Sequence, residues 1–272
     1  MFAAGKPHTS RSRSCVRYLL VAPSSLRPVM STRSRIIRVS LLCALVFPDS
    51  GSAQTPAAIN TARVDSLLDA EQWAQAIAEL DKQLAAAPSP ALFSLRARAH
   101  RERGDLAKSR SDYDAALKLD DKFGGAYAGR AATRLRSGDA VGALDDVAKA
   151  RRAGLAAPAL LLLEGMANGQ RDNESAAMTA FTRYVEAAPD DPIGWYYRGY
   201  THGRAGRHVD AVKDLTRAIA LKMGGAEVYR YRAISNLALE RTAEACADGA
   251  EAAKRGDDEA AQLMQQYCKG AN

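Results

Sequence analysis

The chain has 272 residues, room for one or two ordinary domains, and a formal net charge of +7 at pH 7. The charge is unevenly placed: residues 1–53 hold eight Lys or Arg against the single acid Asp49, and residues 54–272 hold 30 basic and 30 acidic groups. The body of the chain has no basic surplus to neutralise phosphates, which argues against nucleic acid as a partner.

The first element is a targeting segment over 1–53. From Met30, the basic residues Arg33, Arg35 and Arg38 lead into a short apolar run, Val39 to Phe47. Pro48 breaks the run, and Gly51, Ser52 and Ala53 supply small residues ahead of Gln54. This order predicts a signal peptide over 30–53, with residues 1–29 as an upstream mis-start. The apolar run is nine residues, and a bilayer-spanning helix needs about 20. The mature chain is therefore expected to carry no transmembrane helix and to be periplasmic or secreted. The Arg- and Ser-rich composition of residues 1–48 leaves a mitochondrial transit peptide as the alternative. Cleavage removes Cys15 and Cys43 and leaves Cys246 and Cys268, and two cysteines in an oxidising compartment predict one disulfide.

From residue 57 the chain repeats with a period of 34. Ala97, Ala131, Gly165, Gly199 and Ala233 form one column of small residues, and Ser109, Ala143, Ala177, Ala211 and Ala245 form another. Tyr113, Val147, Phe181, Leu215 and Gly249 follow, then Ala116, Ala150, Tyr184, Ala218 and Ala252. Bulky residues precede the first column: Phe93, Tyr127, Leu161, Trp195 and Tyr229. An earlier copy fits one residue out of step, through Val64, Ala76, Leu80, Gln83 and Pro88. Apolar residues at this spacing mark one face of each of two helices, and the small residues let those helices approach closely. Gly104, Gly138 and Gly206 fall where the first helix must end. Copies one and four have Glu71 and Asp172 there, and copy four also has Asn168 where an aromatic is usual.

This pattern resembles the tetratricopeptide repeat family, most closely in "GWYYRGYTHGRAGRHVDAVKDLTRAIAL" with Trp195, Gly199, Gly206, Ala211, Leu215 and Ala218. The resemblance implies an all-α fold, a right-handed solenoid of six helix–turn–helix repeats over 57–90, 91–123, 124–157, 158–191, 192–225 and 226–256. Residues 257–270 then read as a capping helix, within one repeat domain over 54–272.

A further column lies beside the packing positions. Arg63, Arg96, Arg130, Arg198 and Arg232 recur, and sixteen residues after each stands an acid: Glu79, Asp112, Asp146, Asp214 and Asp248. Copy four has Glu164 and Ala180 instead, so both members change together. Covariation inside one chain predicts a structural ion pair between the two helices of a repeat, with pairing to the adjacent copy left open.

No catalytic chemistry stands out. Gly199 and Gly206 follow no strand, so they do not form a phosphate loop. His202 and His208 are six apart and straddle a turn, a spacing unsuited to a metal, and with His100 they complete the histidines of the mature chain. We expect a non-enzyme with no cofactor and no metal, and a protein or peptide partner. In the resembling family the first helices line a binding groove. Carried over, its positions are Arg98, Ala132, Tyr196, Tyr200, Arg230 and Ile234, with Arg101, Arg136 and Arg204 further along the same helices. The Lys and Asn residues by which some family members clamp chaperone C-termini are missing at these positions. Arg204 and Arg230, outside the paired column, are expected to meet acidic or C-terminal carboxylate groups of a partner. The alternatives are an architectural subunit that assembles through its convex face or ends, and an accessory to an envelope polysaccharide or peptidoglycan enzyme.

Overall fold

A computed structural model describes residues 61–268. The expected targeting segment, residues 57–60 of the first repeat and the last residues of the cap lie outside the described residues. Regular structure among the described residues is entirely helical. The helices are α1 (Thr61–Asp69), α2 (Trp73–Ala86), α3 (Pro90–Arg103), α4 (Leu106–Leu119), α5 (Gly124–Arg136), α6 (Ala140–Arg152) and α7 (Ala159–Gln170). They continue as α8 (Glu174–Ala187), α9 (Pro192–Arg204), α10 (His208–Ala220), α11 (Ala226–Ala238), α12 (Thr242–Lys254) and α13 (Asp258–Tyr267). Odd-numbered helices to α11 are the first helices of repeats, even-numbered ones the second helices, and α13 is the cap. No described helix is long and apolar enough to cross a membrane.

The sequence suggests one repeat domain, whereas the described chain divides into two compact units, one holding α1–α7 and one holding α8–α13. The division falls inside the fourth copy, the copy that lacks the arginine, the acid and the aromatic of its neighbours.

Within each unit the small-residue columns are the helix contacts. Ala97 and Ala131 in the first unit and Ala211 and Ala218 in the second are each 0% exposed. Where the column holds glycine, the space is already filled. A Cβ on Gly199 would stand 2.9 Å from Leu215 Cγ, so Gly199 is a helix–helix contact. A Cβ on Gly129 would fall 2.3 Å from the Tyr113 ring, and one on Gly194 2.4 Å from that of Tyr184. Large residues on second helices thus sit over glycines on the following first helices, and total volume is conserved. Val147 and Leu163 complete the core around α5–α7, and Leu215, Met223 and Val228 that around α10–α11.

Helix ends follow local chemistry. Ser89 accepts from the Leu92 N–H ahead of Pro90, and Asp191 accepts from the Ile193 N–H ahead of Pro192, caps that use a proline's missing donor. The turns at Gly104, Gly138 and Gly206 take φ of +94°, +84° and +75°. Copies one, four and six keep that left-handed turn without glycine, at Glu71 (φ 59°), Asp172 (φ 56°) and Glu240 (φ 61°). The same closing bond recurs around it: Asp105 N–H to His100 O at 2.8 Å, and Arg241 N–H to Asn236 O at 2.9 Å. The turn is therefore set by helix packing, and a side chain is tolerated there at a cost.

At the C-terminal end, α13 lies on α12. Met264 fills the space over Gly249, with Sδ 2.9 Å from where a Cβ would be. Cys246 and Cys268 come together with Cα atoms 5.8 Å apart, a separation suited to a disulfide.

A left-handed residue with a side chain costs about 1–2 kcal/mol, partly offset because glycine loses more backbone freedom on folding. Glu240→Gly is therefore expected to raise, and Gly206→Ala to lower, the unfolding free energy by roughly 1 kcal/mol. Urea titrations in which both changes lower stability would show that the turn conformation is not what limits these positions.

Candidate interaction surface

The residues that hold the hairpins must be separated from those left for a partner. Arg96 donates from Nε and Nη2 to the two oxygens of Asp112, at 2.8 and 2.7 Å. Arg130 grips Asp146 in the same way at 2.9 and 2.7 Å, Arg198 grips Asp214 at 2.7 and 2.9 Å, and Arg232 grips Asp248 at 2.8 and 2.5 Å. All four aspartates are buried, Asp146 completely. Hydrogen bonding to the aspartate is the main influence holding Arg96, Arg130 and Arg198 above the ordinary arginine range, fully charged.

The pairing is within the repeat, and it also reaches the copy before. Arg96 Nη1 donates to Asp81 at 2.6 Å, Arg130 Nη1 to Asp114 at 2.5 Å and Arg232 Nη1 to Thr216 at 3.0 Å. Each arginine also lies over the aromatic three residues earlier: Arg96 on Phe93 at 5.5 Å, Arg130 on Tyr127 at 5.5 Å, Arg198 on Trp195 at 4.8 Å and Arg232 on Tyr229 at 5.9 Å.

The first copy departs from expectation. Among the described residues no ion pair joins Arg63 to Glu79. Arg63 is exposed, and Glu79 accepts from Gln83 Nε2 at 3.3 Å. Position 60, three before Arg63, is Asn rather than an aromatic, so no ring there seats the guanidinium. In copy four, Glu164 is held by Arg151 of α6 at 2.6 Å.

Sequence reading missed a third member of the cluster. Four residues after the arginine column stand His100, Arg134, Asn168, His202 and Asn236, all able to donate hydrogen bonds. Arg134 Nη1 lies 2.9 Å from Asp146, Asn236 donates to Asp248 at 3.3 Å, and Nε2 of His100 and of His202 stands 3.9 and 3.7 Å from Asp112 and Asp214. The period of 34 carried this signal. It was hidden because the histidines were weighed only as metal ligands.

The expected groove residues divide. Tyr196 and Tyr200 are half-buried on α9 and belong to a ring-to-ring cluster. Tyr197 stacks on Phe181 at 5.4 Å and meets Tyr196 edge-on at 5.1 Å; Tyr231 lies 6.1 Å from Tyr196 and 4.7 Å from Tyr200. Burial raises the hydroxyl pKa of all four tyrosines, to about 12 for Tyr197 and Tyr231, so each stays a neutral donor. Tyr197 and Tyr231 were not anticipated, although each directly precedes a column arginine.

Arg204, Arg230 and Ile234 correct the sequence reading. Arg204 Nη2 donates to Asp172 at 3.0 Å, with Glu174 at 3.7 Å. Arg230 donates to Asp257 at 2.8 Å and Glu259 at 2.7 Å, and lies over Tyr231 at 4.7 Å. Both arginines are neutralised internally instead of waiting for a partner's carboxylate. Ile234 is 4% exposed and packs with Leu263 of the cap, so it is core. Arg98 is half-buried on α3; burial and then the nearby Arg101 lower its pKa from the ordinary arginine value.

Removing one member of a buried pair strands the other. Arg198→Ala is expected to cost about 3 kcal/mol, because the buried Asp214 loses its main hydrogen-bond partner. A double-mutant cycle with Asp214→Ala should show coupling above roughly 1 kcal/mol; additive losses would mean that the pair carries little energetic weight. Histidine supplies a pH test. Burial lowers His100 and His202 below the ordinary value, against the pull of Asp112 and Asp214. The unfolded chain therefore takes up protons first as pH falls. Their contribution is complete above about pH 6.5 and is lost as pH drops through the lowered folded-state values. His202→Asn, the residue type found at Asn236, should flatten the stability loss between about pH 7.5 and about pH 5.5. An unchanged slope in urea titrations would assign that loss to other groups.

No family model and no curated protein matches the sequence. Solved structures do. A tetratricopeptide repeat protein from Parabacteroides merdae superposes with a TM-score of 0.61 at 18% identity, over 77% of this chain and 84% of its own. PilW, described as a widely conserved type IV pilus biogenesis factor, gives 0.70 at 16% identity, over 78% of this chain and 100% of its own. YrrB, described as a TPR protein with an unusual peptide-binding site, gives 0.53 at 19% identity, over 69% and 97%. At these identities the likeness is one of fold, and the fold is the tetratricopeptide-repeat arrangement of helical hairpins.

Proposed function

We propose that this chain is a non-enzymatic protein-interaction module of the cell envelope that binds a segment of a partner protein on its first-helix faces. The observation that carries the reading is the cluster of Tyr196, Tyr197, Tyr200 and Tyr231 on α9 and α11. Four half-buried rings in mutual contact lose little side-chain freedom on binding, and their neutral hydroxyls add hydrogen bonds without a charge to desolvate. Arg204 and Arg230, each tied to two acids, frame the surface. The partner segment is accordingly one with apolar or aromatic anchors at this surface. The peptide-binding description of YrrB and the pilus-biogenesis description of PilW agree with such a role. The envelope location rests on the signal-peptide order of residues 30–53 and on the Cys246–Cys268 pair, which fits an oxidising compartment.

A second reading has its own observation. Val141 and Val209 are 67% and 61% exposed, each on the second residue of a second helix. That favours self-assembly through the second-helix faces. Sedimentation over a range of concentrations separates the two readings.

Once a partner is isolated with the wild-type protein as bait, Tyr200→Ala is expected to weaken binding by more than about 1 kcal/mol with helix content unchanged. Wild-type affinity in titration calorimetry would move the contact surface elsewhere and, with concentration-dependent association, favour assembly.

A further inference from the structure

The tyrosine surface of α9 and α11 carries more acid than base. On α9, Tyr196, Tyr200 and Arg204 follow one another at intervals of four residues, and on α11 Glu227 and Tyr231 do the same, so each set shares a helix face. Tyr231 meets both Tyr196 and Tyr200, which brings the two faces together. The charged groups acting on the four hydroxyls are Arg204, Arg230, Asp172, Glu227 and Glu259. Glu174 further matches Arg204, and Asp257 further matches Arg230. Two guanidinium groups thus stand against five carboxylates.

Glu227 is the acid left over. Among the described residues no hydrogen bond or ion pair holds it, and it is half-buried in the first turn of α11. Its charge acts on the hydroxyls of Tyr196 and Tyr197. Asp172 and Glu259, each bonded to one arginine through a single oxygen, are exposed, so acceptor sites on both remain open. The rings lie between these acids. A tyrosine face attracts a cation through its quadrupole, and a carboxylate at the ring edge supplies the opposite charge.

We propose that the tyrosine surface receives a basic partner segment, with an arginine or lysine side chain lying across Tyr196 and Tyr200 and its charged head at Glu227. This rests on the reading of that surface as the interaction site and adds the sign of the partner's charge. The aliphatic stem of such a side chain covers the rings while its head reaches the carboxylate. A guanidinium group suits both parts of the surface, because it stacks on a ring face and bonds a carboxylate with a planar edge. An acidic segment would meet like charge, since Arg204 and Arg230 are already matched by carboxylates of this chain.

The test is fluorescence anisotropy on the full chain with two labelled octapeptides, one alternating Arg with Ala and one alternating Glu with Ala. The arginine peptide is expected to bind at least about tenfold more tightly than the glutamate peptide, and to weaken as salt is raised. Glu227→Gln should weaken the arginine peptide about fivefold, the upper end for one partly exposed ion pair. Tyr200→Leu, which keeps apolar area and removes the ring face, should weaken it about threefold. Glu227→Lys should bind the glutamate peptide more tightly than the wild type does, a gain that misfolding cannot produce. Glu244→Gln, at an exposed acid in the first turn of α12, is the net-charge control and should change nothing. The proposal is overturned if the wild type binds the arginine peptide no better than the glutamate peptide, if Glu227→Gln leaves binding intact or matches Glu244→Gln, if Tyr200→Leu binds as the wild type does, or if Glu227→Lys gains nothing for the glutamate peptide. The reading of the surface as the interaction site is judged separately, by Tyr200→Ala against the isolated partner: a loss there alongside failure here keeps the surface and discards the basic segment.

Discussion

The buried carboxylate on each second helix is the constraint from which the hairpin geometry follows. Asp146 has no exposure to water. A charge so placed needs most of its acceptor sites filled by donors, or it costs several kcal/mol. Arg130 fills one edge with two bonds, and Arg134 supplies a third from the next turn of the same helix. The arginine is itself held between the Tyr127 ring on one side and Asp114 of the preceding hairpin on another. One aspartate therefore fixes two side chains of the facing helix and, through them, a neighbour in the previous copy.

What this network contributes is register more than net free energy. A buried ion pair often does no better than a well-packed apolar replacement. The helix contacts in this chain, however, are lined by Ala, Ser and Gly, side chains so alike that a slip of one helical turn, about 5.4 Å, changes their packing little. The aspartate distinguishes the registers, because only one brings it to a guanidinium fork. Close approach by small residues and register by a charged pair are thus two halves of one solution. The two columns stand next to each other in sequence because they face the same helix.

Most of what repeats was legible in the sequence. The period, the small-residue columns, the turn glycines and the covariation of Arg with Asp all recur, and the structure places them as the period implies. What occurs once was not legible. Arg230 finds Asp257 and Glu259 at separations of 27 and 29 residues, a spacing set by the cap and not by the period. Ile234 matches groove positions of other copies but is covered by Leu263, again because the cap is unique. Arg63 obeys the column and still lacks its acid, since the first copy has no aromatic beneath it. The donor column at His100, Arg134, Asn168, His202 and Asn236 was periodic and yet overlooked, because its members share a hydrogen-bonding capacity and no residue type.

This division between repeated and unrepeated positions bears on how such a chain acquires a function. Positions that pair helix to helix are held by the buried aspartates, and a change at one strands another. Positions beside them on the first helices answer to no such partner. The residue before the column arginine is Leu95, Gly129, Leu163, Tyr197 and Tyr231 in successive copies. At Gly129 the Tyr113 ring takes the space, and at Tyr197 and Tyr231 the side chain becomes part of an aromatic surface. The same helical slot is thus filled from opposite directions in the two units. The packing differs accordingly: aromatic surface where the slot is filled by its own tyrosine, and a buried ring where it is filled from the neighbouring helix. Residues 54–272 carry equal numbers of acids and bases. Most of those charges are already spent on one another, and local field depends on the few whose hydrogen-bonding edges the fold leaves open.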